Sequence, residues 1–435
     1  MKKLILLPSL SLLIGFFLKL RELPNQLLFV GFSFLLILII LIYFLVKEMK
    51  SSEAISLKLI HFLFFILSFI VIVLPYFNTW FPSQILNYEE IYNRGLIPYI
   101  HISLIIIVTL YFIKTNKEKI TFLNLFQPTN YKGFVIVNSL LFFLNSPFQY
   151  VLPDNLYSPN FTREYNKGEG PDIYIDEAHN NTHTASGTYR PFANILSDDG
   201  YVIKAFKEKF TKKSLEQVEI LVISNALNKK NIEEDFPVYS AFNDDEIENL
   251  NTWVKNGGAL FLIADHAPFS GASKKLALTF GFEFTDGYAL KKKSSKYPSD
   301  LFIRENNTLT ENIITNGRNT SEYVDSVMTF VGQAFKIPNS AISILTFDQN
   351  YILKTLEIVN GIEVEKTESI AGYSQGAILS YGKGRVAVYG EAAMFTGQLP
   401  AGLSWIKRGF NSSNAKNNYK LLLNTIHWLE NTNNF

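Results

Sequence analysis

The sequence predicts two regions of different fold class: a multi-span α-helical membrane region, followed by an α/β domain with a mainly parallel sheet and helices on both of its faces. Two observations lead to this expectation. The first third of the chain is rich in Leu, Ile and Phe, grouped in long apolar segments, which is typical of helices that cross a bilayer. In the rest of the chain, short apolar strands alternate with short helical segments, and this alternation indicates β-α-β units with parallel strands.

The composition excludes several classes of protein and site. The chain has 435 residues, which is too long for one ordinary domain. Its formal net charge is +1, so no overall field attracts nucleic acid, and we expect no nucleic-acid partner. The sequence contains no cysteine. Disulfides, thiolate metal ligands and a cysteine nucleophile are therefore excluded.

Residues 1–152 form the predicted membrane region, because a helix of about 20 mostly apolar residues can cross a bilayer. The five candidate spans are Leu4–Leu18, Leu27–Val46, Ile55–Phe77, Leu96–Ile113 and Phe134–Val151. With the N-terminus inside, most lysines of this region fall in the inside segments. We therefore expect a multi-pass protein of the inner cell membrane, with the lipid bilayer as its partner and the following domain on the extracytoplasmic side. If the fifth span, which contains Asn138 and Pro147, does not cross, the domain lies on the opposite side.

Residues 153–170 are polar and rich in Asn, Gly and Pro, which predicts a linker. Residues 171–435 form the predicted α/β domain. Its expected elements include strands at Asp172–Asp176, Tyr201–Phe206 and Glu219–Ser224, a helix that begins after Asn243, a hairpin around Gly382-Lys383-Gly384 and a final helix at Tyr419–Leu429.

One stretch of this domain, Gly257–Phe269, organises the functional hypothesis. Its apolar run ends abruptly in Asp265 and His266, as expected of a strand that is buried on both faces and ends at the edge of a sheet. Two other predicted strand-end loops carry Asp176 with His179 and His183, and Glu391. Because ligands bind at the carboxyl edge of such sheets, we expect these loops to share a site.

Histidines and carboxylates together suit a divalent metal such as Zn, with His179, His183 and His266 as candidate ligands and a bound water for hydrolysis. Without a metal, a histidine oriented by an acid can act as a general base. The candidate catalytic residues are Asp265, His266, His179, Asp176 and Glu391. A purely structural role as strand-end caps is the alternative.

Three motifs resemble an uncharacterised bacterial family with a class I glutamine-amidotransferase-like, flavodoxin-like domain, related to auxiliary subunits of ABC-type export and gliding systems. They are Asp176-Glu177-Ala178-His179-Asn180-Asn181, the Gly257-Gly258 strand that ends in Asp265-His266-Ala267-Pro268, and the Gly382-Lys383-Gly384-Arg385 hairpin followed by Gly390-Glu391. The resemblance covers roughly residues 170 to 430. It implies a flavodoxin-like sheet, but true amidotransferases carry a nucleophilic cysteine after a central strand. This chain has none, so glutamine hydrolysis through a thioester is excluded.

Two functions are consistent with the sequence. The first is a membrane-anchored, hydrolase-like domain with a His/carboxylate site at the carboxyl edge of its sheet. The second is a non-catalytic module that binds a glycan, a peptide or a subunit of an envelope or ABC-type transport complex. Convergence of the three loops would favour the enzyme, since an acid–base pair must act on one substrate.

Overall fold

A computed structural model describes residues 6–20, positions between 28 and 39, residue 141, and residues 151–233, 237–292, 300–359, 362–400 and 407–430. The chain divides into two compact units, which are described separately. Met1–Leu152 and Leu399–Ile406 form the first unit, whereas Pro153–Gln398 and Lys407–Phe435 form the second. All the candidate site residues belong to the second unit.

The predicted membrane region is corrected by the structure. Among the described residues, no helix is both long and apolar enough to cross a membrane. Helix α1 (Leu6–Leu20), which overlaps the first predicted span, has only 15 residues, whereas about 20 are needed. Two predicted spans, Ile55–Phe77 and Leu96–Ile113, lie outside the described residues, as do most of Leu27–Val46 and Phe134–Val151. The five-span anchor, the multi-pass inner-membrane location and the extracytoplasmic placement rested on such helices, and this finding corrects all three.

The remaining elements follow in chain order. The strands are β1 (Val151–Pro153), β2 (Asp172–Asp176), β3 (Val202–Phe206), β4 (Ile220–Ser224), β5 (Ala259–Ile263), β6 (Glu283–Phe284), β7 (Tyr288–Lys291), β8 (Asp300–Ile303), β9 (Ser326–Thr329), β10 (Phe335–Lys336), β11 (Ile342–Thr346), β12 (Tyr351–Val359), β13 (Ile362–Ser369), β14 (Ser374–Tyr381), β15 (Gly384–Tyr389), β16 (Gly397–Pro400) and β17 (Arg408–Gly409). The helices are α2 (Arg190–Asp198), α3 (Lys212–Leu215), α4 (Lys230–Glu233), α5 (Asp244–Lys255), α6 (Phe269–Thr279), α7 (Ile313–Asn316) and α8 (Asn418–Glu430), with a 3-10 turn at Ala393–Phe395.

The central sheet of the second unit has nine strands within the described residues, in the order β3-β2-β4-β5-β15-β14-β10-β6, with β11 beside β14. Strands β3, β2, β4, β5 and β15 run parallel. Numbered by their order in the chain, these parallel strands lie in the order 2-1-3-4-5, which is the flavodoxin-like arrangement. The predicted flavodoxin-like sheet is therefore confirmed, although β14 and the strands beyond it are antiparallel.

Helices cover both faces of this sheet, as predicted. On β5, Phe261 and Ile263 pack on the face that α2 and α8 cover. Leu260 and Leu262 point to the opposite face, where α5 and α6 pack. Because both faces are buried, every residue of β5 is apolar, which explains the continuous apolar run in the sequence.

Two local features match the sequence closely. The helix expected after Asn243 begins there with a capping box: Glu246 N–H donates to Asn243 Oδ1 over 2.8 Å, and Asn243 N–H donates to Glu246 Oε2 over 3.0 Å. The predicted hairpin joins β14 to β15, with Tyr381 opposite Gly384. Its connection is two residues long, Gly382-Lys383, since Gly384 already belongs to β15.

Residues 153–170 pack against the domain that follows them. The rings of Tyr157 and Phe410 stack with centroids 5.9 Å apart, and Glu164 bonds to Arg318 over 2.7 Å. Tyr165 OH donates to the Glu430 carboxylate. The boundaries at 153 and 171 stay a prediction, but this segment is fastened to the second unit.

Leu262 and Leu278 form a matched pair for testing the core, since Leu262 is fully buried and Leu278 is 58% exposed. Leu262→Ala should lower the free energy of unfolding by about 2–5 kcal/mol, because it removes buried methyl groups and leaves a cavity. Leu278→Ala should change it by less than about 1 kcal/mol. Urea denaturation of the full chain, followed by tryptophan fluorescence, measures both. Equal losses in the two variants would contradict the burial of β5.

Candidate functional site

The three predicted loops leave the sheet at one edge. Strands β2, β4, β5 and β15 are parallel neighbours, so their carboxyl ends lie side by side. These ends lead into Asp176, Asn225, Asp265 and Glu391 respectively. The structure nevertheless separates the predicted site residues into two clusters, one around Asp265 and Glu391 and the other around His179. We call them the acid pair and the His179 cluster.

The acid pair follows β5 and β15. Glu391 is fully buried, and its two carboxyl oxygens accept the backbone N–H groups of Ala393 and Met394 over 2.6 and 2.7 Å. Asp265 Oδ1 accepts the backbone N–H of His266 over 2.9 Å. The backbone N–H of Ala392, the residue after Glu391, donates to the Asp265 carboxylate. The loop after β15 therefore contacts both acids.

Burial raises the pKa of the Glu391 carboxyl well above its usual range, and the negative charge of Asp265 raises it further. Burial also raises the pKa of Asp265, although His266 and hydrogen-bond donors oppose the shift. Because the charge of Asp265 raises the pKa of Glu391, ionisation of one acid disfavours ionisation of the other, and the two titrate as a pair. The arrangement favours the neutral form of Glu391, which is the more deeply buried of the two.

His266 lies at the more accessible side of the pair, with 29% of its side chain exposed. Its Nδ1 lies 2.8 Å from Ala267 O. Because a carbonyl only accepts, Nδ1 must carry a hydrogen. Its Nε2 lies 4.0 Å from Asp265 Oδ1, and its ring stacks on Tyr288 with centroids 4.2 Å apart. Nε2 is thus the ring nitrogen that can exchange a proton with a substrate.

The His179 cluster joins β2 to helix α5. His179 Nδ1 lies 2.9 Å from Asp176 Oδ1, and its Nε2 lies 3.1 Å from Glu246 Oε1. The ring of His179 packs against the rings of Phe210 and Phe242, with ring centroids 4.5 and 4.9 Å apart. Burial opposes protonation of His179, but the hydrogen bonds and charges of Asp176 and Glu246 outweigh burial and raise its pKa. The two acids on either side of the ring therefore favour the protonated form of His179.

His183, the third predicted loop histidine, belongs to neither cluster. It is buried, its Nδ1 bonds to Thr188 Oγ1 over 2.6 Å, and its ring stacks on Tyr189 at 4.5 Å. Burial lowers its pKa to about 3, so the ring is neutral.

The structure does not assemble the metal site that the sequence suggested. Within the described residues, no group of three or more His, Asp or Glu side chains is arranged to hold a metal ion. His179, His183 and His266 each have a different set of neighbours: a pair of carboxylates, a threonine hydroxyl and a backbone carbonyl. These three residues are not a common ligand set.

Several contributors to the two clusters are missing from the predicted site. Asn225 accepts the backbone N–H of Asp265 over 2.9 Å, and it adopts φ = +46°, which asparagine tolerates better than most residues. It directly follows the apolar run of β4, so the strand-end rule that identified Asp265 also applies to it. Glu246 has a weaker signal, since a first-turn acid normally indicates only a helix start.

Comparisons with known proteins give a fold likeness and no family. No protein-family model matches the chain, and no curated protein matches it. Among solved structures, the N-terminal domain of mmIFT52 is 14% identical with a TM-score of 0.42, over 60% of this chain and 98% of that one. A putative ThuA-like protein from Bacteroides uniformis is 10% identical with a TM-score of 0.35, over 63% and 95%. A putative ThuA-like protein from Parabacteroides merdae is 12% identical with a TM-score of 0.32, over 60% and 90%.

ThuA-like proteins, which have a glutamine-amidotransferase-like fold, are thus among the structural neighbours of this chain. The TM-scores are low, so the fold assignment rests on the strand order of the sheet. The uncharacterised family named from the sequence stays a resemblance, and its fusion to a membrane anchor is not supported.

The two buried histidines are expected to give opposite pH dependences of stability. The pKa of His179 is raised above 6.5 by its acid partners, so its contribution is fully present below pH 6.5 and is lost as the pH rises through the folded value. Burial lowers the pKa of His183 to about 3, so its contribution is present above pH 6.5 and is lost as the pH falls from there toward 3.

His179→Gln and His183→Gln each remove one titrating ring, so each serves as the control for the other. The destabilisation by His179→Gln should be larger at about pH 6 than at about pH 9, whereas that by His183→Gln should be larger at about pH 8 than at about pH 5. Urea denaturation of the full chain across this range measures both. If the loss of unfolding free energy changed with pH in the same direction for both variants, the opposite pKa shifts of His179 and His183 would be contradicted.

Proposed function

We propose that the second unit is a hydrolase-like domain in which His266 performs general acid–base catalysis, supported by the acid pair, Asp265 and Glu391, which shares one proton. The observation that carries this proposal is a fully buried carboxyl group, Glu391, whose charge interacts with that of Asp265 at the carboxyl edge of a parallel sheet. Asp265 and His266 beside it are partly exposed, with 14% and 29% of their side chains accessible. Environments that drive the pKa values of neighbouring acids apart are a frequent feature of catalytic sites.

The arrangement supplies the groups that hydrolysis needs. Glu391 is fully buried and both of its carboxyl oxygens accept backbone N–H groups, so it acts on the charge of Asp265 and does not touch a substrate. His266 Nε2 can accept the proton of an attacking water, and Asp265, 4.0 Å away, stabilises the imidazolium that forms. Glutamine hydrolysis through a thioester is excluded, because the chain has no cysteine.

The first of the three predicted loops does not join the acid pair, since His179 bonds to Asp176 and Glu246 instead. The proposal therefore rests on the loops after β5 and β15 alone, and it assigns Asp176 and His179 a structural role. Both ring nitrogens of His179 already bond to carboxylates, and the residue keeps only 6% of its surface exposed. A general base needs a nitrogen that is free to take up a proton, and His179 offers none. The His179 cluster instead holds the loop after β2 against the start of helix α5.

The proposal predicts turnover that depends on the acid pair. We expect the full chain to hydrolyse at least one member of a panel of ester, amide and glycosidic substrates. Asp265→Asn, Glu391→Gln and His266→Ala should each lower kcat/KM by roughly 10²-fold or more, the usual contribution of a general acid or base. Initial-rate kinetics with chromogenic substrates measure these losses.

Asp300→Asn is the matched control, because Asp300 is also a buried carboxyl with a raised pKa but bonds to Tyr351 instead of to the pair. It should leave kcat/KM unchanged. Rates that do not depend on Asp265, Glu391 or His266 would contradict the proposal. No turnover, combined with tight binding of a panel glycan or peptide in calorimetry, would favour a non-catalytic binding module instead.

A further inference from the structure

A strained backbone position lies next to the acid pair. Val331 adopts φ = +74°, a region that a β-branched residue normally avoids. Such strain persists only where surrounding contacts hold it, and it is concentrated at functional sites. The segment that contains it, Phe330–Gln333, passes directly beside Glu391: a Cβ added to Gly332 would lie 2.8 Å from Glu391 Cβ and 2.2 Å from Gly390 O. Only glycine fits at that position.

The Phe330–Gln333 segment bonds to both chain segments that carry the acids. On one side, the Gln333 backbone N–H donates to Gly390 O over 2.8 Å, and the Phe330 backbone N–H donates to the Glu391 carboxylate. On the other side, Gln333 Nε2 donates to Ala264 O over 2.8 Å. Ala264 immediately precedes Asp265. Gln333 therefore ties the end of β5 to the loop that carries Glu391.

A second buried amide, Gln375, completes this connection. Its backbone carbonyl accepts the N–H of Gly390 over 2.7 Å, and its Nε2 lies 3.4 Å from Gln333 O. Gln333 and Gln375 are both fully buried. Among the described residues, neither Gln333 Oε1 nor Gln375 Oε1 has a hydrogen-bond partner. Two buried acceptors without donors are costly, so the bonds that these two amides make to Ala264, Gly390 and each other have to outweigh that cost.

We propose that Gln333 is a positioning residue of the acid pair: it fixes Glu391 against the end of β5 and, with Gln375, keeps the loop that carries Glu391 in place and out of contact with water. This inference rests on the proposed function of the pair. Donors stabilise an ionised carboxylate, whereas acceptors and exclusion of water stabilise the neutral acid. The titratable groups whose charges act on Glu391 are Asp265 and Tyr189, and neither bonds to the Gln333 amide in the described part of the chain.

Infrared spectroscopy of the full chain tests this directly, because a protonated carboxyl has its own C=O stretching band. At neutral pH the wild-type protein should show a band that Glu391→Gln removes. In Gln333→Met that band should titrate at least about one pH unit lower than in the wild type, a shift that is well within the range of buried acids. Gln398→Met is the matched control, since Gln398 is also buried but makes none of these bonds, and it should leave the band unchanged.

Each outcome decides one claim. If Gln333→Met is folded by circular dichroism and its band titrates as in the wild type, the positioning role is overturned. If Gln333→Met does not fold, Gln375→Met is measured instead, because it removes only the 3.4 Å hydrogen bond to Gln333 O. Its band should also titrate lower than in the wild type, and an unchanged band overturns the positioning role. If the wild type has no band that Glu391→Gln removes, the shared proton of the acid pair is overturned as well. The hydrolase activity is judged separately, by turnover.

Discussion

The carboxyl edge of the domain depends on one electrostatic constraint: a fully buried carboxyl group, Glu391, follows a strand whose parallel neighbour leads into a second, partly exposed acid, Asp265. Glu391 meets this constraint with backbone N–H donors from the turn that follows it, and Asp265 meets it with donors from His266 and Ala392. The neighbouring loops are arranged around these bonds. The glycine at 332 and the left-handed conformations of Asn225 and Val331 are local consequences of bringing several backbones close to the same two acids.

The sheet makes this closeness possible. Strands β5 and β15 pair in parallel register from Ala259 opposite Arg385 to Ile263 opposite Tyr389. The chain positions that follow, Ala264 and Gly390, are therefore level with each other, and the acids come one residue later. The 120 residues between Ile263 and Gly384 separate these two strands, yet neither strand can shift by one residue without turning its side chains to the wrong face. The register of β5 against β15 thus brings Asp265 and Glu391 close together at the edge of the sheet.

The sequence predicts the sheet well and the site only in part. The apolar run of β5, the cap at Asn243 and the Gly382-Lys383 hairpin carry local signals, and all three appear where expected. The strand-end positions of Asp265 and Glu391 follow from the same reasoning. Their separation from His179 does not, because it depends on Glu246, which approaches from a helix 67 residues later in the chain. Gln333 lies in an irregular region without periodicity. The membrane prediction relied on the length of apolar segments and on the distribution of lysines, but an apolar segment does not fix the length of a helix: α1 has only 15 residues.

The His179 cluster has a consequence for recognising active sites by their shape. An acid 2.9 Å from one nitrogen of an imidazole, and an oxygen 3.1 Å from the other, match the distances of a search template for a catalytic triad, with Glu246 in the place of the nucleophile. Here both ring nitrogens of His179 are already hydrogen-bonded, and Glu246 also caps a helix. A search on distances alone would therefore select His179 and pass over the histidine proposed above as the catalyst. His266 Nε2 lies 4.0 Å from Asp265 Oδ1 on a side chain that is 29% exposed, so the hydrogen bonding of the ring nitrogens separates these two histidines better than the distances do.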